Sequence, residues 1–249
     1  MLLLLVLVAG LWAGLQNTLA GGGSFITLPA LIVSGMSPLA ANITSTVALF
    51  PGQVTSGLAG RSLVSGVGKL SFRALFMLSL VGGAVGGWLL LHTPPTVFAR
   101  LVPWLVLFAT GVFAWGSFRR KPLEGHAHIG PRTAALAQFL IGIYGGYFGG
   151  GVGLITTALY GLLANIRPRE LFAIRTTMLA VANFAAALVF IGFAMVSWWE
   201  CLPMLLGSIA GGWLGALIGK RLTPGLVRTW TLLVTGATTI LFFVRAYAG

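Results

Sequence analysis

Aspartate is absent from this 249-residue chain, and glutamate occurs only at Glu124, Glu170 and Glu200. That scarcity excludes carboxylate-built metal centres and phosphotransfer sites, which need clusters of acids or histidines. It also removes the usual intramembrane proton carrier, because no acid falls in the middle of an apolar run. The three histidines, His92, His126 and His128, lie between apolar runs, so a serine–histidine pair at membrane depth is excluded too. Cys201 is the only cysteine, and an intrachain disulfide is impossible. Charged residues make up 7% of the chain, against about 25% in soluble domains. The longest polar stretch, Arg119 to Arg132, is too short to form a domain. The reading is not an enzyme, with no metal and no cofactor.

What remains is apolar residues, glycine and positive charge. Hydrophobic residues reach 57%, the mean hydropathy is +0.99, and fifteen Lys and Arg give a formal +12. The basic residues cluster between apolar runs. They therefore read as topology signals and contacts for anionic membrane lipids, with no nucleic-acid partner. Apolar segments fall at 2–19, 22–34, 38–60, 71–91 and 97–117, then at 133–148, 151–164, 170–196, 201–219 and 226–247. The first resembles a signal-peptide core without its basic flank and is expected to stay as a membrane segment. The chain is thus expected to be a multi-pass protein of the inner (plasma) membrane.

Two triple glycines punctuate these runs, Gly21-Gly22-Gly23 and Gly149-Gly150-Gly151. Each glycine costs a helix about 1 kcal/mol against alanine. A break at membrane depth survives only where protein or a cavity covers the freed backbone. The segment after each break is short of the ~20 residues a crossing needs. Other signals repeat in the same order. Gly82-x-x-x-Gly86-Gly87-Trp88 returns as Gly207-x-x-x-Gly211-Gly212-Trp213, Ala41-x-x-Thr44-Ser45 as Ala173-x-x-Thr176-Thr177, and Gly111 as Gly236.

The basic loops orient the copies. Arg61, Lys69 and Arg73 mark the loop after the third segment of the first half as cytoplasmic. The equivalent loop of the second half, Ser197 to Cys201, carries no basic residue, whereas Lys220, Arg221 and Arg228 mark the next one. The expected architecture is an all-α polytopic membrane protein of two inverted-topology repeats. Each repeat is a Gly-broken short-helix hairpin plus three transmembrane helices. The boundaries are 1–118, a basic cytoplasmic linker at 119–132, and 133–249, with both termini outside.

The ordered motifs, from Gly21-Gly22-Gly23 with Pro29 and Ala41 to Ser45 through Gly149-Gly150-Gly151 and Ala173 to Thr177, resemble the TauE/SafE family of sulfite exporters along essentially the whole chain. The second copy departs from the pattern with Thr157 in place of Pro29. The resemblance implies transport of small sulfur-containing anions such as sulfite or an organosulfonate.

An anion in a membrane protein needs donors and no nearby acid. Helix starts supply N–H groups and a positive dipole end, which singles out Gly22, Gly23, Ser24, Gly150 and Gly151. Thr44, Ser45, Thr176 and Thr177 carry hydroxyls at helix starts, whose competing use is a bond back to the i−4 carbonyl. Gln53 and Asn183 are polar residues deep in apolar segments, lining a pathway or joining helices; Gln16, Asn17 and Asn42 share those two readings, and Gln138 reads as interfacial. Arg175 stands directly before Thr176-Thr177 and is assigned to a cytoplasmic vestibule, against the alternative of a snorkelling arginine. The glycine ridges Gly207-Gly211-Gly215-Gly219 and Gly82-Gly86 serve packing between repeats, or else a homodimer. The function expected is a carrier of small anions working by alternating access at the midplane. The alternative is an anion channel or a carrier of a non-sulfur solute.

Overall fold

The computed structural model describes residues 2–59, 63–64, 66–118, 130–163, 166, 168–219 and 221–247. Among them are ten helices: α1 (Leu2–Leu19), α2 (Ser24–Val33), α3 (Pro38–Ala59), α4 (Phe72–Leu91), α5 (Pro95–Phe118), α6 (Pro131–Phe148), α7 (Val152–Leu163), α8 (Pro168–Gly192), α9 (Trp198–Ile218) and α10 (Pro224–Tyr247). The protein is an all-α polytopic membrane protein, and every apolar segment read from the sequence is a helix. Arg61 and most of the 119–132 linker lie outside the described residues.

Both triple glycines end one helix and start a short one. Gly21 and Gly22 each adopt φ +85° and Gly151 does the same, a backbone region that side-chain-bearing residues rarely enter. The short helices that follow have 10 residues in α2 and 12 in α7. Inside α2, Pro29 has no N–H to offer the Phe25 carbonyl one turn back. Thr238 of α10 donates its hydroxyl to that carbonyl at 3.0 Å, which removes the penalty of an unpaired acceptor in an apolar setting.

Residue contacts fix the helix directions. Along α1 and α9, Gly10 meets Met204, Gly14 meets Ser208, and Thr18 meets Gly215, so the two run parallel. Along α4 and α6, Ser79 meets Gln138, Gly82 meets Gly142 and Gly86 meets Tyr147, again parallel. Helix α3 runs parallel to α9, through Ala48 on Ser208 and Ser56 near Gly212, and α4 parallel to α8, through Ser79 on Met178 and Gly83 on Ala182. Between α3 and α8 the order reverses: Phe50 meets Phe184, Gln53 meets Asn183, and Gly57 meets Thr177. It also reverses between α5 and α10, where Trp104 meets Tyr247 and Ser117 meets Arg228. Helices α1, α3 and α9 therefore form one parallel bundle and α4, α6 and α8 a second, opposed one. Each bundle mixes helices from both ends of the chain.

The seams inside the bundles are backbone against backbone. A Cβ added at Gly211 would lie 1.9 Å from the Leu11 carbonyl oxygen, and one at Gly86 would lie 2.1 Å from that of Ile143. The glycine ridges are thus filled within the chain, Gly207-Gly211-Gly215 by α1 and Gly82-Gly86 by α6. They do not present a bare groove to a second copy.

Hydropathy follows position. Six helices, α1, α4, α5, α8, α9 and α10, are long and apolar enough to cross a membrane. Helix α3 has the length, 22 residues, but carries Asn42, Thr44, Ser45, Thr46, Gln53 and Ser56, all buried. Its polarity is tolerated because it faces protein. Its partner α8 is apolar, yet 72% of its window is buried, against 28–44% in the other five. The α3–α8 pair is the centre of the fold. Large exposed side chains such as Leu4, Phe118, Trp199 and Ile240 cover the outside, the surface expected of a body solvated by lipid.

Candidate functional site

The two glycine breaks pack on each other. Gly21 lies against Gly153, Ser24 against Gly149 and Gly150, and Phe25 against Gly151 and Phe148. Gly22, Gly23, Ser24, Gly150 and Gly151 are therefore brought together, with the two chain segments running in opposite directions.

Each break strands carbonyls at the end of the preceding helix. The side chains that satisfy them cross from the other half of the chain. Arg175 of α8 donates from Nη2 to the Thr18 carbonyl of α1 at 2.8 Å and to that of Leu19 at 3.3 Å. Reciprocally, Asn42 of α3 donates from Nδ2 to the Tyr147 carbonyl near the end of α6 at 3.1 Å. Within the first break, Asn17 Oδ1 accepts from the Gly23 N–H at 2.6 Å. These bonds hold the irregular backbone at both breaks.

Arg175 does not occupy an open vestibule, nor does it snorkel. It is 6% exposed, with its guanidinium 5.3 Å from the Phe172 ring. Its third partner is the Thr157 hydroxyl at 3.3 Å, which in turn donates to the Gly153 carbonyl. The departure of Thr157 from the Pro29 pattern thus has a structural use, since proline offers no hydroxyl. Among the described residues the partners of Arg175 are two carbonyls and a hydroxyl, none of them a carboxylate, and its Nε–H has no acceptor.

Thr176, the next residue along α8, lines a cleft together with Leu179 of α8, Asn17 of α1, and Gln53 and Ser56 of α3. In this closed arrangement its crevices are narrower than a water molecule. Asn17 is 5% exposed, and its Nδ2 has no partner. Gln53, which lines the cleft, accepts from Asn183 Nδ2 at 2.9 Å through Oε1. Ser56 donates to Gly52 and shares a 2.6 Å bond with Thr18. Thr176 bonds back to the Phe172 carbonyl at 2.9 Å, the competing use of its hydroxyl, while still lining the cleft.

The remaining sequence candidates disperse. Thr44 accepts the Ser197 N–H at 3.2 Å and so anchors the start of α9. Ser45 pairs with Thr27 at 2.5 Å and fixes α2 to α3. Thr177 is half-buried against Gly57. Asn183 reaches the cleft only through Gln53. Gln138, read as interfacial, is buried: it accepts from the Tyr160 hydroxyl at 2.7 Å and donates to Ser79 at 2.7 Å. The cleft adds Ser56, which sequence reasoning missed. Its signal was the spacing from Gln53, three residues along one helical face.

Comparison with known proteins agrees with this architecture. The family model described as Sulfite exporter TauE/SafE matches residues 6–242. A probable membrane transporter protein, ORF9, of Sinorhizobium is 31% identical over 88% of this chain and 82% of its own length. A probable membrane transporter protein of Haemophilus influenzae is 27% identical over 94% of this chain and 93% of its own. The probable membrane transporter protein YfcA of Escherichia coli K12 is 28% identical over 84% and 76%. No solved structure matches the chain. With its family model spanning nearly the whole length, the chain belongs to the TauE/SafE sulfite exporter family of membrane transporters.

Proposed function

We propose that the protein carries a small sulfur-containing anion, sulfite or an organosulfonate, across the inner membrane by alternating access. Its two inverted repeats would be residues 1–118 and 133–249, joined by a cytoplasmic linker at 119–132. The observation that carries this reading is Arg175: a buried cation at the meeting of two opposed helix breaks, whose hydrogen-bond acceptors among the described residues are all neutral. A buried charge is costly unless something of opposite sign visits it. The antiparallel course of α3 against α8 and of α5 against α10 supports inversion, as does the opposed direction of the bundles holding α1 and α6. The cleft lies where the two bundles abut, the boundary a rocking motion opens. Family membership supports the sulfur chemistry.

The test is flux of labelled sulfite into proteoliposomes holding the purified protein. The carrier reading expects saturation, counterflow, and preference over carboxylates of similar size. Flux that never saturates indicates a channel. Equal flux of carboxylates removes the sulfur assignment, and no flux of any small anion removes the transport reading.

A further inference from the structure

We infer that the cleft between Asn17, Gln53, Ser56 and Thr176 is a single site for an anion of one negative charge, and that it rejects dianions and zwitterions. This rests on the transport reading and specifies the ligand class of that site. Three features lead to it.

The first is the donor set. Among the described residues Asn17 Nδ2 and Arg175 Nε are buried donors without acceptors; Asn17 lines the cleft, and Arg175 directly precedes Thr176, which lines it too. In a closed protein interior nearly every such donor has a partner. A ligand rich in acceptor oxygens completes them.

The second is the charge balance. Each break brings a helix C-terminus and a helix N-terminus to the same place, so their opposite partial charges offset each other. Arg175 spends two of its hydrogen bonds on the C-terminus of α1. One full positive charge is left. A monoanion neutralises it, whereas a dianion brings a second charge with no counterpart in a region that solvates charge poorly. A zwitterion brings an ammonium group. That ammonium would be a second positive charge near Arg175, and no carboxylate is among the residues lining the cleft to meet it.

The third is one-sidedness. Aligning the triple glycines places Gly145 opposite Asn17 and Pro29 opposite Thr157. Aligning Thr44 with Thr176 places Ala185 opposite Gln53, Leu188 opposite Ser56 and Ile43 opposite Arg175. The aligned positions of the other half carry neither the charge of Arg175 nor the amides of Asn17 and Gln53. One anion per chain follows.

The experiment uses purified full-length protein and three probes whose charge does not change near neutrality: methanesulfonate, sulfate and taurine. Binding is read by calorimetry and by ligand-induced thermal shift at matched ionic strength. Methanesulfonate is expected to bind at one site per chain, with sulfate and taurine at least roughly tenfold weaker, the scale of one uncompensated charged or polar group. Asn17→Asp and Gln53→Glu each keep the acceptor used by Gly23 or Asn183, replace the amide nitrogen and add a negative charge to a residue lining the cleft. Each is expected to weaken methanesulfonate by about tenfold or more. The wild-type ranking decides the matter even if one variant fails to fold. Sulfate or taurine binding as tightly as methanesulfonate overturns the inference, as do two sites per chain or a folded Asn17→Asp protein with undiminished affinity. Silence toward all three probes with sulfite flux intact overturns this site alone. Silence together with no sulfite flux overturns the transport reading as well.

Discussion

Replacing Gly211 by alanine tests the packing that holds the bundles. The added Cβ would stand 1.9 Å from the Leu11 carbonyl oxygen and 2.7 Å from its carbon. An ordinary carbon–oxygen contact is about 3.3 Å or longer, so α1 and α9 must part by more than an ångström along this stretch. The obstacle is backbone on a regular helix and cannot rotate aside. Overpacking of this kind costs about 1–3 kcal/mol, and the separation also loosens the neighbouring contacts at Gly10, Gly14 and Gly207. The upper end of that range, about 3 kcal/mol, is therefore expected. Gly86→Ala in α4, 2.1 Å from the Ile143 oxygen, should behave alike. Gly111→Ala and Gly236→Ala meet nothing within 4 Å and gain helix propensity, so they should be neutral or slightly stabilising, by up to about 1 kcal/mol. The assay is thermal unfolding in detergent, followed by size-exclusion of the surviving monodisperse fraction. If Gly211→Ala melted with the wild type while Gly111→Ala did not, the α1–α9 seam described here would be wrong.

Three further outcomes follow from the same contacts. Arg175→Met removes the donors from the Thr18 and Leu19 carbonyls, a loss of about 1–3 kcal/mol for each acceptor left buried, part of which is returned by no longer burying a cation. The empty protein should therefore lose little stability, whereas anion-dependent stabilisation should vanish; a thermal-shift titration that still responds to methanesulfonate refutes this. Gln138→Leu strands the Tyr160 hydroxyl and should lower stability by about 1–3 kcal/mol with anion affinity unchanged, since the network lies on α4, α6 and α7, away from the cleft. A Gly57→Cys, Thr177→Cys pair is expected to bridge α3 and α8, because a Cβ at 57 stands 3.8 Å from the Thr177 Oγ1 and 3.9 Å from its Cα, which puts the two side chains against each other. Oxidation should stop flux and reduction restore it; unchanged flux with the bridge formed would mean the two bundles need not separate there.

The helices were legible in the sequence because each depends on local signals. Apolar runs gave the spans, and the triple glycines gave the breaks to within two residues of the starts of α2 and α7. That the breaks meet was also legible, as a consequence of loop charges and repeated motifs. The cleft was legible only in part. Gln53 and Thr176 stood out as polar groups in apolar surroundings, but Thr44, the repeat partner of Thr176, anchors the start of α9 instead. Repeat symmetry marks positions and says nothing of which copy has kept its use. Arg175 was misplaced because a cation near a segment end has two physical options, and charge counting favours the membrane surface. What drew it inward was a pair of helix-end carbonyls 156 and 157 residues away in sequence, a partner that no local pattern encodes.

The contacts also separate the units of sequence from the units of motion. Backbone seams at Gly10, Gly14, Gly207 and Gly211 join α1 to α9, and those at Gly82, Gly86 and Gly146 join α4 to α6. Contacts this close tolerate little sliding, because side chains that might rearrange are absent from them. The α3–α8 boundary is different in kind: it is made of side chains, with the Gln53–Asn183 hydrogen bond and the Phe50–Phe184 ring pair 5.3 Å apart. Rotamer changes can remake such contacts at modest cost, so any opening of the molecule has its easiest path here. The cleft lies on this same boundary, and Arg175 ties the end of α1 in one bundle to α8 in the other. An anion bound there would therefore act on the one joint whose closure depends on the charge it neutralises.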